Sequence, residues 1–248
     1  MDAMVPENKL EDFVRRMRAA AGPNLESIIL YGSAVAGDFH PEFSNLNLFC
    51  VLRDSSFPAL QALAPVARWW ERQKQPPPLF MTRRELECST DVFTIELLDM
   101  QQHHRVLLGE DVLLGLQVPM YLHRVQVEYE LREKLLLLRQ QLLLASDSRR
   151  RLWGLLVRSV PSFVTLFRHA LIALGHAAPV GKRETVQALA EQVKFDASAI
   201  DQVLDVREHK ANPKKMDVDD LFARYLTVVE QVAAAVDKAL GADAAARS

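Results

Sequence analysis

The pattern of apolar and polar positions changes character near the middle of the chain. Up to about residue 118, short apolar runs alternate with helical stretches. Residues 6–20 place Leu10, Phe13 and Met17 on one helical face, with Pro6 in the first turn. Ser27 to Tyr31 (SIILY) predicts a strand that stops at Gly32-Ser33, and Leu46 to Leu52 (LNLFCVL) predicts a second. A helix is predicted from Pro58 to Arg72, ended by Gln75-Pro76-Pro77-Pro78. Leu79 to Met81 predicts a short strand and Val92 to Leu98 (VFTIELL) a fuller one. Gly109, Gly115 and Pro119 mark a loop-rich exit.

Beyond Pro119 the periodicity is helical throughout, with helices predicted over 122–145, 148–175, 182–193, 197–209 and 217–240. The first carries Val127, Leu131, Leu135, Leu138 and Leu142 on one face and Val125, Tyr129, Leu136 and Leu143 on another. A helix apolar on two faces belongs in the middle of a bundle, with a dimer face as the alternative. Pro161 predicts a kink or break. Asp217, Asp219 and Asp220 suit the N-terminus of the last helix. The pattern therefore predicts an α/β domain over 1–118 and a helical bundle over 119–248.

Composition narrows the class. Of 248 residues, 49% are hydrophobic and 25% charged, which is ordinary globular usage. Thirty basic residues against 32 acidic ones exclude a bulk polycation that coats nucleic acid. Two cysteines, Cys50 and Cys88, exclude a disulfide scaffold and a cysteine-based zinc site. No uninterrupted apolar run reaches the ~18–20 residues that cross a bilayer, and the first residues show no signal-peptide pattern. A soluble, cytoplasmic protein is expected, with neither membrane nor nucleic acid as a partner.

One segment carries chemistry. From Leu30 to Val51 the chain reads as a strand, a Gly32-Ser33 turn, a connecting stretch, and a second strand with polar Asn45 and Asn47 two apart. A Gly-Ser turn after a strand lets backbone N–H groups and a hydroxyl approach a phosphate. Residues two apart on a strand share a face. Two side chains on one face beside such a turn look like half of a metal site, but these two are amides.

This segment resembles the nucleotidyltransferase superfamily, which includes the aminoglycoside (kanamycin) and minimal nucleotidyltransferases. The superfamily pattern is Gly-Ser, about ten residues, then Ser-Asp-x-Asp or Ser-Asp-x-Glu opening a strand, with a third acid on a later strand. Gly32-Ser33 matches the turn, Ser44-Asn45-Leu46-Asn47 aligns with the acid pair, and Glu96 matches the third acid in position and strand context. The resemblance implies an α+β fold, a nucleotidyltransferase-like mixed-sheet domain followed by an all-α bundle. It implies catalytic positions at Asn45, Asn47 and Glu96, and nucleotide contacts from Gly32, Ser33 and Ser44. Apart from the resemblance, Lys182, in the helix-opening Gly181-Lys182-Arg183-Glu184, is a candidate to offer charge to a triphosphate across the cleft between the halves, with solvated charge the better reading.

The departure from the pattern shapes the functional expectation. In the superfamily the acids hold two magnesium ions, and magnesium favours anionic oxygen. Replacing both paired acids by amides removes two negative charges, and an amide cannot accept the proton of an attacking hydroxyl. The expectation is a protein that has lost nucleotidyl transfer and acts in nucleotide binding or regulation. It would take ATP, with magnesium held weakly and no residue assigned as a dedicated metal ligand. The alternatives are an active adenylyltransferase using Glu96 with acids such as Asp38, Glu42 or Asp99, and a structural module that is homodimeric through its bundle. His103-His104 is expected to be two surface histidines, and His40 a loop residue capping local backbone. Trp69-Trp70 is expected to give one ring to the core and one to the surface.

Overall fold

The computed structural model describes residues 5–36 and 45–245, with side chains described up to residue 240. Two compact units divide it, Met1–Pro119 and Met120–Ser248. The fold is α+β: a mixed four-stranded sheet with helices in the first unit, and helices alone in the second.

In the first unit, α1 (Glu7–Ala21) leads through a 3-10 turn into β1 (Leu25–Tyr31). Then follow β2 (Asn47–Leu52), α2 (Phe57–Arg72), β3 (Leu79–Thr82), α3 (Arg83–Cys88), α4 (Thr94–Gln102) and β4 (His104–Gly109). The sheet order is β3-β2-β1-β4, with β1 antiparallel to both β2 and β4 and β2 parallel to β3. Alternation along the two central strands splits their side chains between two cores. Ile28, Leu30, Leu48, Cys50 and Leu52 pack on one face against Leu10, Phe13 and Met17 of α1 and Leu63, Val66 and Trp70 of α2. Ile29, Phe49 and Val51 pack on the other against Leu86 of α3 and Leu97 and Met100 of α4. Because both faces are covered, these strands read as apolar runs in the sequence. Trp70 is fully buried, with its ring 4.9 Å from that of Phe13. Trp69 is half-buried under the Arg16 guanidinium at 4.3 Å. The pair does divide between core and surface.

Two elements differ from the sequence expectation. Residues 92–98, expected as a strand, lie mostly in α4. Five apolar residues in a run of seven satisfy either period. Here it continues without a turn signal into Asp99-Met100-Gln101-Gln102, and Thr94, Ile95, Leu97 and Met100 form its buried side. Gln101 then fixes the helix by donating to the Leu113 and Leu116 carbonyls at 3.1 and 2.8 Å. The strand of this region is β4, hidden by its polar His104-Arg105 start. His103 caps the C-terminus of α4 and His104 opens β4.

The second unit comprises α5 (Met120–Ala145), α6 (Arg149–Ala173), α7 (Lys182–Val193), α8 (Ser198–Arg207) and α9 (Val218–Ala245). Its innermost helix is α6, which buries residues on every side and packs against α5, α7, α8 and α9. By length and composition α6 could cross a membrane, a test the core helix of a soluble protein also passes. α5 is not the middle of the bundle: Val127, Leu131, Leu135 and Leu138 are buried, but Val125, Tyr129, Leu136 and Leu143 face outward. His123 of α5 and His169 of α6 are both fully buried, with Nε2 and Nδ1 2.9 Å apart.

Pro161 neither breaks nor ends α6. A proline within a helix leaves the carbonyl four residues earlier without its N–H partner. That carbonyl belongs to Val157, and Arg207 of α8 donates to it from Nη1 at 2.9 Å.

Candidate functional site

The site is built where β1 ends. Tyr31 is the last strand residue, and Gly32 turns the chain with φ +80°, a left-handed conformation that suits glycine. Gly32-Ser33-Ala34 forms one 3-10 turn, in which the N–H groups of Val35 and Ala36 donate to the Gly32 carbonyl at 2.9 and 3.1 Å. The Gly32 N–H donates to the His103 carbonyl at 3.2 Å, tying the turn to the junction of α4 and β4.

Strand register sets the neighbours. Tyr31 pairs with Asn47 on one side and with His104 on the other, so the three form one row across β2, β1 and β4. Asn47 alternates with Phe49 and Val51 and shares their face, and Tyr31 packs against the same core. A Cβ added to Gly32 would stand 3.1 Å from Asn47 Nδ2. The Asn47 amide thus lies beside the turn. Leu46, just before β2, is anchored by its N–H donating to Gln75 Oε1 at 2.7 Å.

Glu96 reaches this region from a helix. It lies in the first turn of α4, on an exposed position, and not in the strand context expected for it. It is nevertheless near the row. Burial raises the Tyr31 phenol above its ordinary value, and the Glu96 carboxylate adds to the shift by opposing a phenolate. The acid side chain is therefore within electrostatic reach of the residue that precedes the Gly-Ser turn.

Of the positions singled out in the sequence, the structure brings Gly32, Ser33, Asn47 and Glu96 to one end of the sheet. Asn45 is exposed and precedes β2 by two residues. Ser44, with Asp38, His40 and Glu42, lies outside the described residues. Lys182 opens α7 in the second unit, capped by Gly181. Its neighbour Arg183 is taken up by acids, at 2.8 Å from Asp205 and 2.9 Å from Glu208.

Sequence reasoning missed three residues here. Tyr31 reads as plain strand in the sequence, although its place before the turn is visible there. His104 and Asp111 were not seen as a pair. The imidazole Nε2 lies 3.0 Å from Asp111 Oδ2, and the His104 side chain is only 16% exposed, so it is not a surface histidine. Burial pushes the Asp111 carboxyl up, but the hydrogen bond and charge of His104 and the N–H groups of Leu113 and Leu114 outweigh this and leave it below the ordinary range. No local signal could reveal the pair without β4.

A family model for nucleotidyltransferase domains matches residues 8–101. The first unit belongs to the nucleotidyltransferase superfamily. Among solved structures, spectinomycin adenyltransferase AAD(9) from Enterococcus faecialis, with ATP and spectinomycin, aligns over 93% of this chain and 99% of its own. The TM-score is 0.59 at 14% identity, a likeness of fold that runs through the nucleotidyltransferase unit and the helical unit alike. A toxin–antitoxin structure with AMP-PNP overlaps 43% of this chain and 76% of its own, at 19% identity and a TM-score of 0.31. No curated protein matches the chain.

Proposed function

We propose that this protein binds a nucleotide at the Gly32-Ser33 turn, does not transfer it, and serves as a nucleotide-binding or regulatory protein. The observation that carries this reading is the placement of the Asn47 amide beside the turn, 3.1 Å from where a Gly32 Cβ would stand. That is where the superfamily's motif has a carboxylate.

The donor set does not fit a pair of magnesium ions. Asn45 and Asn47 offer neutral amide oxygens, and Glu96 offers one carboxylate. Among the described residues, no group of three or more His, Cys, Asp or Glu could hold a metal ion. Two divalent ions held close together repel strongly unless anionic ligands offset them. These residues therefore do not support a transfer step through bound metal. Removing the two acids also removes their repulsion toward a phosphate, which favours binding without magnesium. Ser33 and Ser44 are assigned to the nucleotide on the superfamily pattern. The likeness in fold to an adenyltransferase solved with ATP makes ATP the first ligand to try.

The test is calorimetric titration with ATP, with and without magnesium, followed by incubation with an α-labelled nucleotide and candidate hydroxyl acceptors. Binding that ignores magnesium, without label transfer, is the expected result. Sustained magnesium-dependent label transfer would instead establish an active adenylyltransferase. Absence of binding under both conditions would remove the nucleotide from the proposal.

A further inference from the structure

His104 stands in the row of residues that carries the site, yet nucleotide binding at the turn leaves it without a role. Along β4 the side chains alternate. His104 and Val106 share the face of Ile29, Phe49 and Val51, while Arg105 and Leu107 share the opposite one. Arg105 accordingly pairs with Glu7 of α1 at 2.9 Å. His104 is thus on the face of Asn47 and Tyr31. Residues directly opposite on paired strands have Cβ atoms about 4.5–5.5 Å apart, so the imidazole stands beside Tyr31. The bond from the Gly32 N–H to the His103 carbonyl, at 3.2 Å, fixes the turn against the start of β4.

The imidazole is held in place. Its Nε2 lies 3.0 Å from Asp111 Oδ2, and its Nδ1 has no hydrogen-bond partner among the described residues. Asp111 is itself fixed by the Leu113 N–H, which donates to Oδ1 at 3.1 Å. A carboxylate on Nε2 keeps a proton there and leaves Nδ1 to take a second. The other titratable groups carried by the surrounding elements are Tyr31 of β1, Glu96 and Asp99 of α4, His103, and Glu110, which is drawn to Arg83 at 2.9 Å.

We propose that His104, as an imidazolium held by Asp111, binds the phosphate chain of the nucleotide at the Gly32-Ser33 turn and supplies the positive charge that magnesium supplies elsewhere in the superfamily. This rests on the nucleotide reading above and names the group that frees it from metal. A phosphate chain carries several negative charges, Asn47 meets them with a neutral amide, and the Glu96 carboxylate opposes them. His104 stands across β1 from Asn47, two strands or ~10 Å away, so the two side chains flank a ligand lying over the turn. Nε2 donates to Asp111 and Nδ1 to a phosphate oxygen, both charge-assisted bonds. Where the free imidazole is neutral, binding draws in a proton.

Calorimetric titration of the full chain with ATP, without magnesium and at about pH 8, in buffers of different ionisation heat reads affinity and proton uptake together. At that pH ATP is fully ionised and an ordinary imidazole is neutral, so uptake of a fraction of a proton per ATP is expected. His104→Gln should lower the affinity about tenfold or more and remove the uptake, and Asp111→Asn should act in the same direction. Arg105→Gln removes a charge from the same strand on the other face and should change neither. Urea midpoints check that each variant is folded. Absence of proton uptake in the wild type overturns the inference without need of a variant. Affinity in His104→Gln equal to that of the wild type overturns it and leaves the nucleotide reading standing. Loss of affinity with uptake unchanged also overturns it, since a merely structural residue behaves so. Failure of the wild type to bind ATP overturns the nucleotide reading and this inference with it.

Discussion

The guanidinium of Arg207 donates to the carbonyl oxygen of Val157 at 2.9 Å, the acceptor that Pro161 leaves without its helical partner. A side chain from α8 thus completes a backbone defect in α6. Arg207→Met should destabilise the protein by about 1–3 kcal/mol, the cost of an unsatisfied polar group. Pro161→Ala restores the N–H, so the same Arg207→Met change made in that background should cost clearly less. Urea denaturation of the four proteins measures the coupling. Strictly additive effects would show that Arg207 acts elsewhere.

Asn45→Asp combined with Asn47→Asp should strengthen magnesium-dependent nucleotide binding. A unit charge about 4 Å from a cation contributes up to ~4 kcal/mol in a partly screened site, so a gain of about tenfold or more is expected. Titration with ATP at fixed magnesium reads it. Unchanged metal dependence would mean that these positions do not align with the superfamily's acid pair.

Gly32→Ala probes the turn. Alanine at φ +80° is strained, and its Cβ would press on the Asn47 amide at 3.1 Å. Gly175, at φ +83° with nothing within 4 Å of an added Cβ, provides the control. Each substitution should cost about 1–3 kcal/mol in denaturation, with the larger loss at Gly32. Only Gly32→Ala should also weaken ATP binding. Equal loss of binding in both variants would trace it to stability alone.

The buried histidine pair makes stability depend on pH. Burial holds His123 down at about 4, with the charges of His169 and Arg124 adding to the shift. Its ordinary value is 6.5, so between 6.5 and 4 the unfolded chain binds more protons than the folded one. The contribution is present in full above pH 6.5 and is lost as pH falls through that window. At about 1.4 kcal/mol per pH unit the loss is on the order of 3 kcal/mol. His123→Gln should flatten the urea midpoint between pH 7.5 and 5. If the variant keeps the wild-type slope, another group titrates there.

Much of this architecture is legible in the residues, and the exceptions share a cause. Ser27 to Tyr31 and Leu46 to Leu52 read as strands because both of their faces are buried, and Gly32 can only be a turn. The bundle helices read well because their stripes persist over many turns. Val92 to Leu98 misleads because its five apolar residues fit either period, and the choice is settled by what packs above the sheet. β4 is hidden by its polar start, and the pairing of His104 with Asp111 with it. α3 is absent from the sequence expectation although Thr82 and Glu85 form a capping box, with Glu85 N–H donating to the Thr82 hydroxyl at 3.1 Å. The turn and Asn47 beside it are written in the sequence, whereas the position of Asn45 ahead of β2, the place of Tyr31 and the helical placement of Glu96 depend on register and packing.

The centrality of α6 has a consequence for the order of synthesis. This helix emerges from the ribosome before α7, α8 and α9, the neighbours that cover much of its apolar surface. About 70 further residues separate its end from that of α9, some 4–14 s of translation at ordinary rates. During that interval the nascent chain displays a segment apolar enough to engage chaperones or the membrane-insertion machinery. A chain stopped before α9 would keep that segment on display, so a premature stop codon in the last helix should produce a species fated for aggregation or proteolysis.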